Sequence, residues 1–232
     1  MKKMKFMSML LCLAMLVSSC GSATKNGALI GAGGGAALGA VVGKLIGGKN
    51  STIIGAAVGT AVGTTAGALI GKKMDKAKAA AAQVANAEVS TVTDANGLEA
   101  VKVSFDNGIL FATGKSTLQS GAMTSLRQFA TKVLNVYTDC DVAINGYASS
   151  DGSEQTNLTL SQNRANSVKN YLTGNCGVSS SQIKSTTGYG EDPNYLVYNA
   201  DGSENQAASR RVEVYLYASE AMINAANNGT LQ

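Results

Sequence analysis

The stretch INGYASSDGSEQTNLTLSQNRANSVKNYL, residues 144–172, joins a strand pattern to a helix pattern through a polar turn. Val142 and Ile144 alternate with their neighbours as residues of a half-buried strand do, and Ala165 and Val168 share one face of a helix. The segment between them is rich in Ser, Asp, Gly and Asn, which favour turns. The stretch therefore predicts a strand, a turn and a helix, with polar side chains gathered at the turn.

The same alternation of strand and helix patterns continues on both sides of this stretch. Residues 101–105, 183–188 and 212–216 predict three more strands, and residues 123–137 predict another amphipathic helix. The resulting order is βαβαββ over residues 95–218. We therefore expect an α+β domain, a two-layer sandwich with helices packed on one sheet.

The N-terminus has the pattern of an export signal. Three lysines precede an apolar run over residues 6–17, which is too short to span a bilayer. The sequence VSSC at 17–20 resembles a bacterial lipobox, which implies a signal peptide over residues 1–19, a lipidated Cys20 and a short tether over 20–26. An ordinary secretory signal with an incidental cysteine is the alternative.

Composition argues against several classes of function. The net charge of +4 includes the three leader lysines, so the exported chain carries 4 − 3 = +1, which gives no nucleic-acid footprint. The sequence has no His, which removes His-based triads and the usual zinc sites. The glycine run at 31–39 lacks the strand and the Lys-Ser/Thr of a phosphate loop. We expect no enzyme, cofactor, metal or nucleic-acid partner.

Glycines recur every four residues between residues 27 and 72. In a helix this spacing leaves a groove without side chains, in which a second helix can pack closely. GGKNS at 47–51 interrupts the run with turn residues, so the pattern predicts a glycine-zipper helical hairpin. The predicted helix-packing glycines are Gly27, Gly31, Gly35, Gly39, Gly43, Gly55, Gly59, Gly63 and Gly67.

The role of the hairpin stays open at this point. It could cross a bilayer, lie in one leaflet or pack against copies of itself as a homo-oligomer, and a flexible Gly/Ala linker is the rival interpretation. An Ala/Lys-rich spacer is predicted over residues 73–94, where an exposed helix would act as a tether, and a C-terminal tail over 219–232. Cys140 and Cys176 could form a disulfide or remain free thiols.

Five motifs together resemble the OmpA-like C-terminal domain, which peptidoglycan-associated lipoproteins and flagellar stators share. The resemblance implies an α+β fold and non-covalent binding of the peptidoglycan stem peptide, without enzymatic activity. The zipper and lipobox match a lipoprotein subset of that family. The motifs are NGILFATGKSTL (107–118), INGYASSDGS (144–153), NLTLSQNRANSVKNYL (157–172), GYGEDP (188–193) and SRRVEVYL (209–216).

The resemblance also assigns roles at the binding site. Arg164 matches the arginine that grips a ligand carboxylate, and Asn157 matches the asparagine that orders the turn. Where the family reads GHTD, this chain has Ala148 and Ser149 in the last two positions, so a serine replaces the aspartate that pairs with the ligand ammonium. Arg210 is as consistent with a rim salt bridge as with a ligand contact.

Three interpretations of Ser149 follow. Its hydroxyl could accept a hydrogen bond in place of the carboxylate, Asp151 or Glu154 could supply the charge, or the site could have lost binding. The first two predict an outer-membrane lipoprotein, anchored by lipid and facing the periplasm, that ties membrane to cell wall. The third predicts a membrane assembly or scaffold protein that acts through its glycine zipper.

Overall fold

The computed structural model describes residues 62–94 and 96–231. These residues build a five-stranded sheet with helices packed on it. The strands are β1 (Ala87–Thr93), β2 (Glu99–Asp106), β3 (Cys140–Tyr147), β4 (Ile183–Gly188) and β5 (Arg211–Ala218). The helices are α1 (Thr64–Ala81), α2 (Asn107–Leu110), α3 (Ser120–Phe129), α4 (Glu154–Asn175), α5 (Gln206–Ser209) and α6 (Glu220–Asn227), and a π-helical turn over Ala130–Leu134 follows α3 directly.

The strand order in the sheet is β1-β2-β5-β3-β4. β3 and β4 are parallel, and α4 makes the crossover that a parallel pair requires. The remaining neighbours are antiparallel, with Val103 opposite Val214 and Val214 opposite Ile144. From β2 to β5 the elements follow the predicted βαβαββ order, so the predicted α+β class is confirmed.

One face of the sheet forms the main core. Strand alternation directs Val103, Ile144 and Val214 to this face, where each is fully buried. Phe105 from β2 meets Phe129 from α3 edge to face, with ring centroids 5.7 Å apart. Burying such a side chain contributes roughly 1.5–3 kcal/mol, so this face supplies most of the driving force that holds α3 and α4 on the sheet.

The spacer expected over residues 73–94 is instead part of the fold. α1 buries Ile70 and Met74 in the main core, and all seven residues of β1 pair with β2. The segment looked polar because several of the buried positions of α1 are small residues, among them Ala77 and Ala81. A helix face made of small residues has low hydrophobicity and is therefore hard to recognise in the sequence, but it allows the helix to pack closely on a sheet.

The segment expected to be a C-terminal tail also belongs to the domain. Ser219 caps α6 by accepting from Met222 N at 3.1 Å, and Ile223 is fully buried. α6 packs against α1, and Gly63 N donates to Asn227 Oδ1 at 3.3 Å. Val62 and Leu231 also pack against the core, so the folded unit exceeds the predicted 95–218 at both ends.

The helix predicted over residues 123–137 is present but lies three residues nearer the N-terminus, over residues 120–134. It consists of α3 and the π-helical turn and ends at Leu134. Leu126 is buried as expected, whereas Met123 is 36% exposed. The first turn is buried through Ala122 instead of Met123, and the three-to-four spacing then continues through Leu126, Ala130 and Val133.

Cys140 and Cys176 are both free thiols in the structure, which is the second of the two alternatives. Burial and the neighbouring Asp139 raise the pKa of the Cys140 thiol to about 12. Burial also raises the pKa of Cys176, which is half-buried after α4. Neither thiol is therefore activated as a nucleophile.

The turn between β1 and β2 depends on one buried carboxylate. Asp94 Oδ1 accepts from Asn96 N and Leu98 N, both at 2.8 Å, while its Oδ2 is buried without a hydrogen-bond partner among the residues that the structure describes. Burial raises the pKa of Asp94 to about 6, and the two backbone donors only partly oppose that shift. The turn is therefore held by a group that is costly to ionise.

Candidate functional site

The site lies where the chain leaves β3 and β4. Because these strands are parallel, both exits are at the same edge of the sheet. Ala148 N donates to Gly190 O at 2.7 Å and Tyr189 N donates to Gly146 O at 2.9 Å, so the two exit loops run side by side. Ser153 then caps α4, with its Oγ accepting from Thr156 N at 3.3 Å. The predicted strand, turn and helix unit is confirmed.

Two glycines let α4 approach the sheet closely. A Cβ on Gly146 would lie 2.2 Å from Ser161 O, and a Cβ on Gly188 would lie 2.3 Å from Gln162 N. In the space that the missing side chains leave, Gln162 Oε1 accepts from Gly188 N at 2.9 Å. Ser161 Oγ accepts from Gly190 N at 2.9 Å. These contacts fix the height of α4, and therefore of its functional side chains, above the strand ends.

Asn157 organises the turn, as its position in the motif predicts. It is 5% exposed, and its Nδ2 donates to Ser149 O at 3.1 Å and to Asp151 O at 2.8 Å. The same nitrogen contacts the carboxylate of Glu191. One amide thus joins the loop after β3 to the loop after β4.

Arg164 lies two helical turns beyond Asn157 and is 2% exposed. Its Nε donates to Lys115 O at 3.0 Å, and its guanidinium carbon lies 5.4 Å from the centroid of the Phe111 ring. Burial and the charge of Arg210 lower the pKa of Arg164 to about 10, so it stays protonated at neutral pH. Within the described residues, neither terminal nitrogen of Arg164 has a protein acceptor. The guanidinium therefore keeps a free pair of donors.

Ser149 is buried rather than presented to solvent. It is 3% exposed, and its Oγ accepts from Arg210 Nη1 at 3.4 Å. Ala148 is 3% exposed and contributes to the site through its backbone. The structure therefore brings Ser149, Ala148, Arg210 and Asn157 together, but it gives the Ser149 hydroxyl a protein donor.

The carboxylates proposed to replace the family aspartate point elsewhere. The Asp151 side chain is 62% exposed, accepts from Gln206 Nε2 at 2.8 Å and lies 3.7 Å from Arg210 Nη1. Glu154 is exposed in the first turn of α4, where a negative charge suits the helix dipole. Neither of them contacts Arg164 in the described chain.

Sequence reasoning missed two acidic residues at the site. Glu191 contacts Asn157, and Glu204 accepts from the backbone N and the hydroxyl of Ser150. Although partial burial opposes it, these hydrogen bonds and the charge of Arg210 lower the pKa of Glu204. Glu191 belongs to the GYGEDP motif, so the family resemblance could have pointed to it. Glu204 lies in a loop whose sequence has no recognisable motif.

Arg211 has a structural role. Its guanidinium stacks 4.2 Å above the Tyr147 ring, and its Nε donates to Glu213 Oε1 at 2.7 Å. Its Nη1 donates to the carbonyl oxygens of Tyr195, Ala208 and Ser209 at 3.1–3.4 Å. Arg211 thereby holds the loop before β5 in place, and it is Arg210 that reaches the site.

Comparisons with known proteins agree with this architecture. Residues 110–211 match the OmpA family, and residues 1–75 match the YMGG-like Gly-zipper family. The OmpA match includes Phe111, the turn between β3 and α4, α4 itself and the start of β5. These segments carry Asn157, Arg164 and Arg210.

Curated proteins that are similar to this chain are envelope proteins by name. Outer membrane protein P5 of Haemophilus influenzae is 32% identical over 55% of this chain and 34% of its own length. Probable lipoprotein YiaD of Escherichia coli is 34% identical over 47% of this chain and 48% of its own length. Peptidoglycan-associated lipoprotein of Mesorhizobium japonicum is 32% identical over 39% and 52%. The chain thus spans a third to a half of the curated relatives it matches.

Several predictions fall outside the described residues or at their border. The signal peptide, Cys20 and the zipper glycines before Gly63 lie outside them. Gly63 precedes α1 and Gly67 is buried within it, so the end of the four-residue period is a helix of the folded unit. In the described chain, none of the helices has the length and apolar character needed to cross a membrane.

Proposed function

We propose that the OmpA family domain binds the peptidoglycan stem peptide non-covalently through Arg164. The observation that carries this proposal is the buried guanidinium, which is fixed through Nε and leaves its terminal nitrogens without a protein acceptor among the described residues. A planar fork of this kind suits a carboxylate, and burial strengthens the resulting charge-assisted hydrogen bonds. The name of the peptidoglycan-associated relative supports a wall ligand.

The rest of the chain would make this binding an anchor. Lipidation of Cys20 would attach the N-terminus to the outer membrane, and a periplasm-facing domain would then reach the wall. The names of the relatives, which are outer membrane proteins and lipoproteins, support that location. The protein would thereby link the membrane to the wall and contribute to envelope integrity, without acting as an enzyme.

Sedimentation with purified sacculi tests the proposal. The full-length chain, purified in detergent, should sediment with sacculi, and Arg164→Ala should bind at least about 100-fold more weakly because two charge-assisted hydrogen bonds are lost. Arg127→Ala is the matched control, since Arg127 is exposed on α3 and donates a hydrogen bond to Tyr171, away from the turn. Circular dichroism of each variant confirms that the fold is retained.

The same assay distinguishes wall binding from the alternative that the protein is a membrane scaffold. If the wild-type chain does not sediment with sacculi, or if Arg164→Ala sediments equally well, the site does not bind the wall through its arginine. Function would then be assigned to the glycine-zipper segment and to membrane assembly, including self-association. Crosslinking of the full-length chain, with Gly35→Leu and Gly63→Leu as variants, would test that role.

A further inference from the structure

The two edges of the sheet differ in how well they are protected from pairing with another strand. β1 and β4 are the edge strands. β4 carries Lys184, and its ladder with β3 shifts register between Val142 and Ala143, both of which discourage further pairing. β1 pairs with β2 over seven residues without a shift, contains neither Lys nor Pro, and has Glu88 as its one charged residue. The outer edge of β1 therefore lacks these protective features.

The hydrogen bonds of the β1–β2 turn show which backbone groups of β1 point outward. Asp94 N donates to Leu98 O at 2.7 Å, and bonded pairs alternate along an antiparallel ladder, so the even-numbered residues of β1 bond to β2. Within the described part of the chain no strand pairs with the opposite edge, and none of the seven residues of β1 is buried. The residues whose backbone groups point outward are Ala87, Val89, Thr91 and Thr93.

A second copy of β1 fits this edge about a two-fold axis at Ser90. Antiparallel pairing about Ser90 sets outward-pointing residues of one copy opposite outward-pointing residues of the other, so about eight backbone hydrogen bonds can form. Val89 then lies opposite Thr91 of the second copy, and such β-branched pairs suit a sheet. Glu88 lies opposite Val92, and the two Glu88 residues stay roughly 13 Å apart along the strand, so no like charges meet.

The described chain enters the fold away from this edge. Gly63 N donates to Asn227 Oδ1 of α6, and α1 then runs roughly 22 Å before Lys78 Nζ reaches Thr91 Oγ1 of β1. Thr91 and Val89 share the face of β1 that packs toward α1 and the main core, so this contact leaves the backbone edge free. The segment that precedes α1 therefore does not begin beside β1, which favours a second copy as the occupant.

We propose that the outer edge of β1 is a homodimer interface, in which β1 pairs antiparallel with β1 of a second copy about Ser90. The pairing joins the two five-stranded sheets into one, with the same surface on both copies. It goes beyond the proposed wall binding and does not involve Arg164. Because β3 runs opposite to β1, the two strand-exit sites of the dimer face in opposite directions and both remain accessible.

Disulfide trapping tests the register, and it suits an interface smaller than the roughly 1,200 Å² of standard complexes. Two Ser90 residues on the axis form a non-hydrogen-bonded pair with Cα atoms about 4.5 Å apart, where a disulfide can form. The full-length Ser90→Cys chain in detergent, oxidised with copper phenanthroline in air, should give at least about fivefold more disulfide-linked dimer than Glu88→Cys. Glu88 is the more exposed of the two, so random collision would give the opposite order. The wild-type chain, with its own cysteines, sets the background.

A proline at an outward-pointing amide tests the hydrogen bonds. Thr91 N points away from β2, so Thr91→Pro leaves the β1–β2 ladder in place and removes a donor from the interface. Added to Ser90→Cys, it should lower the crosslinked fraction at least about fivefold, with an unchanged circular dichroism spectrum. Thr91→Lys keeps the amide but adds a charge to the edge, and it should lower the crosslinked fraction as well.

The possible outcomes each decide the inference. Equal crosslinking of Ser90→Cys and Glu88→Cys would mean that the copies meet without this register, as in association through the glycine zipper alone. Crosslinking of Ser90→Cys no greater than the wild-type background would mean that the edge stays unpaired or is covered by another part of the chain. Either result overturns the inference. Sedimentation with sacculi is a separate measurement, so wall binding through Arg164 can stand or fall independently.

Discussion

Gly188→Ala should destabilise the domain through the approach of α4 to the sheet. The new Cβ would lie 2.3 Å from Gln162 N, 2.6 Å from Gln162 Cα and 2.7 Å from Ser161 Oγ. Two of these atoms belong to the backbone, so no rotamer change can remove the clash. α4 would have to recede by about 1 Å, which is the situation in which overpacking costs roughly 1–3 kcal/mol.

The recession also breaks specific hydrogen bonds. Gly188 N loses Gln162 Oε1 and Gly190 N loses Ser161 Oγ, both at 2.9 Å in the wild type. At about 1 kcal/mol for each bond, the total destabilisation is about 3–5 kcal/mol. This is a third or more of the stability of a typical domain, and it corresponds to a fall of about 10 °C in Tm.

Urea and thermal unfolding of the full-length chain, followed by circular dichroism, measure this effect. Gly174→Ala is the control, because Gly174 lies in the same helix and a Cβ added there would have no described atom within 4 Å. That variant should be as stable as wild type or up to about 1 kcal/mol more stable. A loss below about 1 kcal/mol for Gly188→Ala would refute the argument that the glycine sets the height of α4.

Three further results are expected. Because burial raises the pKa of Asp94 to about 6, the folded state keeps a proton that the unfolded chain releases near 3.8, so stability should fall as pH rises through this window. Asp94→Asn should reduce that slope, to which the raised pKa values of Glu99 and Asp141 also contribute, and should gain up to about 3 kcal/mol at pH 7.5, measured by urea unfolding across pH. Met74→Ala should cost about 2–5 kcal/mol in the same assay, with Lys76→Ala near zero, and equal effects would mean that α1 is not part of the core. Mass spectrometry after iodoacetamide treatment at pH 8 should show slow labelling of Cys176 and none of Cys140 until urea is added, and rapid labelling of Cys140 in native protein would contradict its burial.

The strands of the central fold were predictable because burial on one face imposes a two-residue period. Val101 and Val103 in β2, and Val212 and Val214 in β5, show that period clearly. β4 was predicted at its observed bounds, residues 183–188. The order of these patterns along the chain was enough for the α+β class and the βαβαββ order.

β1 and α1 were not predicted from the sequence because their amino-acid composition lacks a clear apolar pattern. β1 reads AEVSTVT, in which only Val89 and Val92 are strongly apolar and they fall on opposite faces. The buried face of α1 combines Ile70 and Met74 with small residues, so most of its packing comes from close approach rather than hydrophobic bulk. Pairing with β2 and α6 decides both structures, and neither partner is visible in the local sequence.

At the site, the sequence predicted the participants better than their arrangement. Arg164 and Asn157 occupy the positions that the motifs imply, and both are buried. The burial of Ser149 under Arg210 was not predictable, because it depends on contacts between residues 61 positions apart. Long-range hydrogen bonds of this kind leave no periodicity or fixed spacing in the sequence, so sequence analysis cannot predict them.

The position of α1 determines where recombination could join a glycine-zipper segment to this domain without disrupting the fold. The Gly-zipper match ends at residue 75, inside α1, and the OmpA match begins at residue 110, after β2. A recombination joint placed at either border would separate α1 or the β1–β2 hairpin from the core that they complete. Chimeras joined ahead of α1 would keep α1 and the β1–β2 hairpin together with the core that they complete, so a joint before Thr64 is expected to be more productive than one at either border.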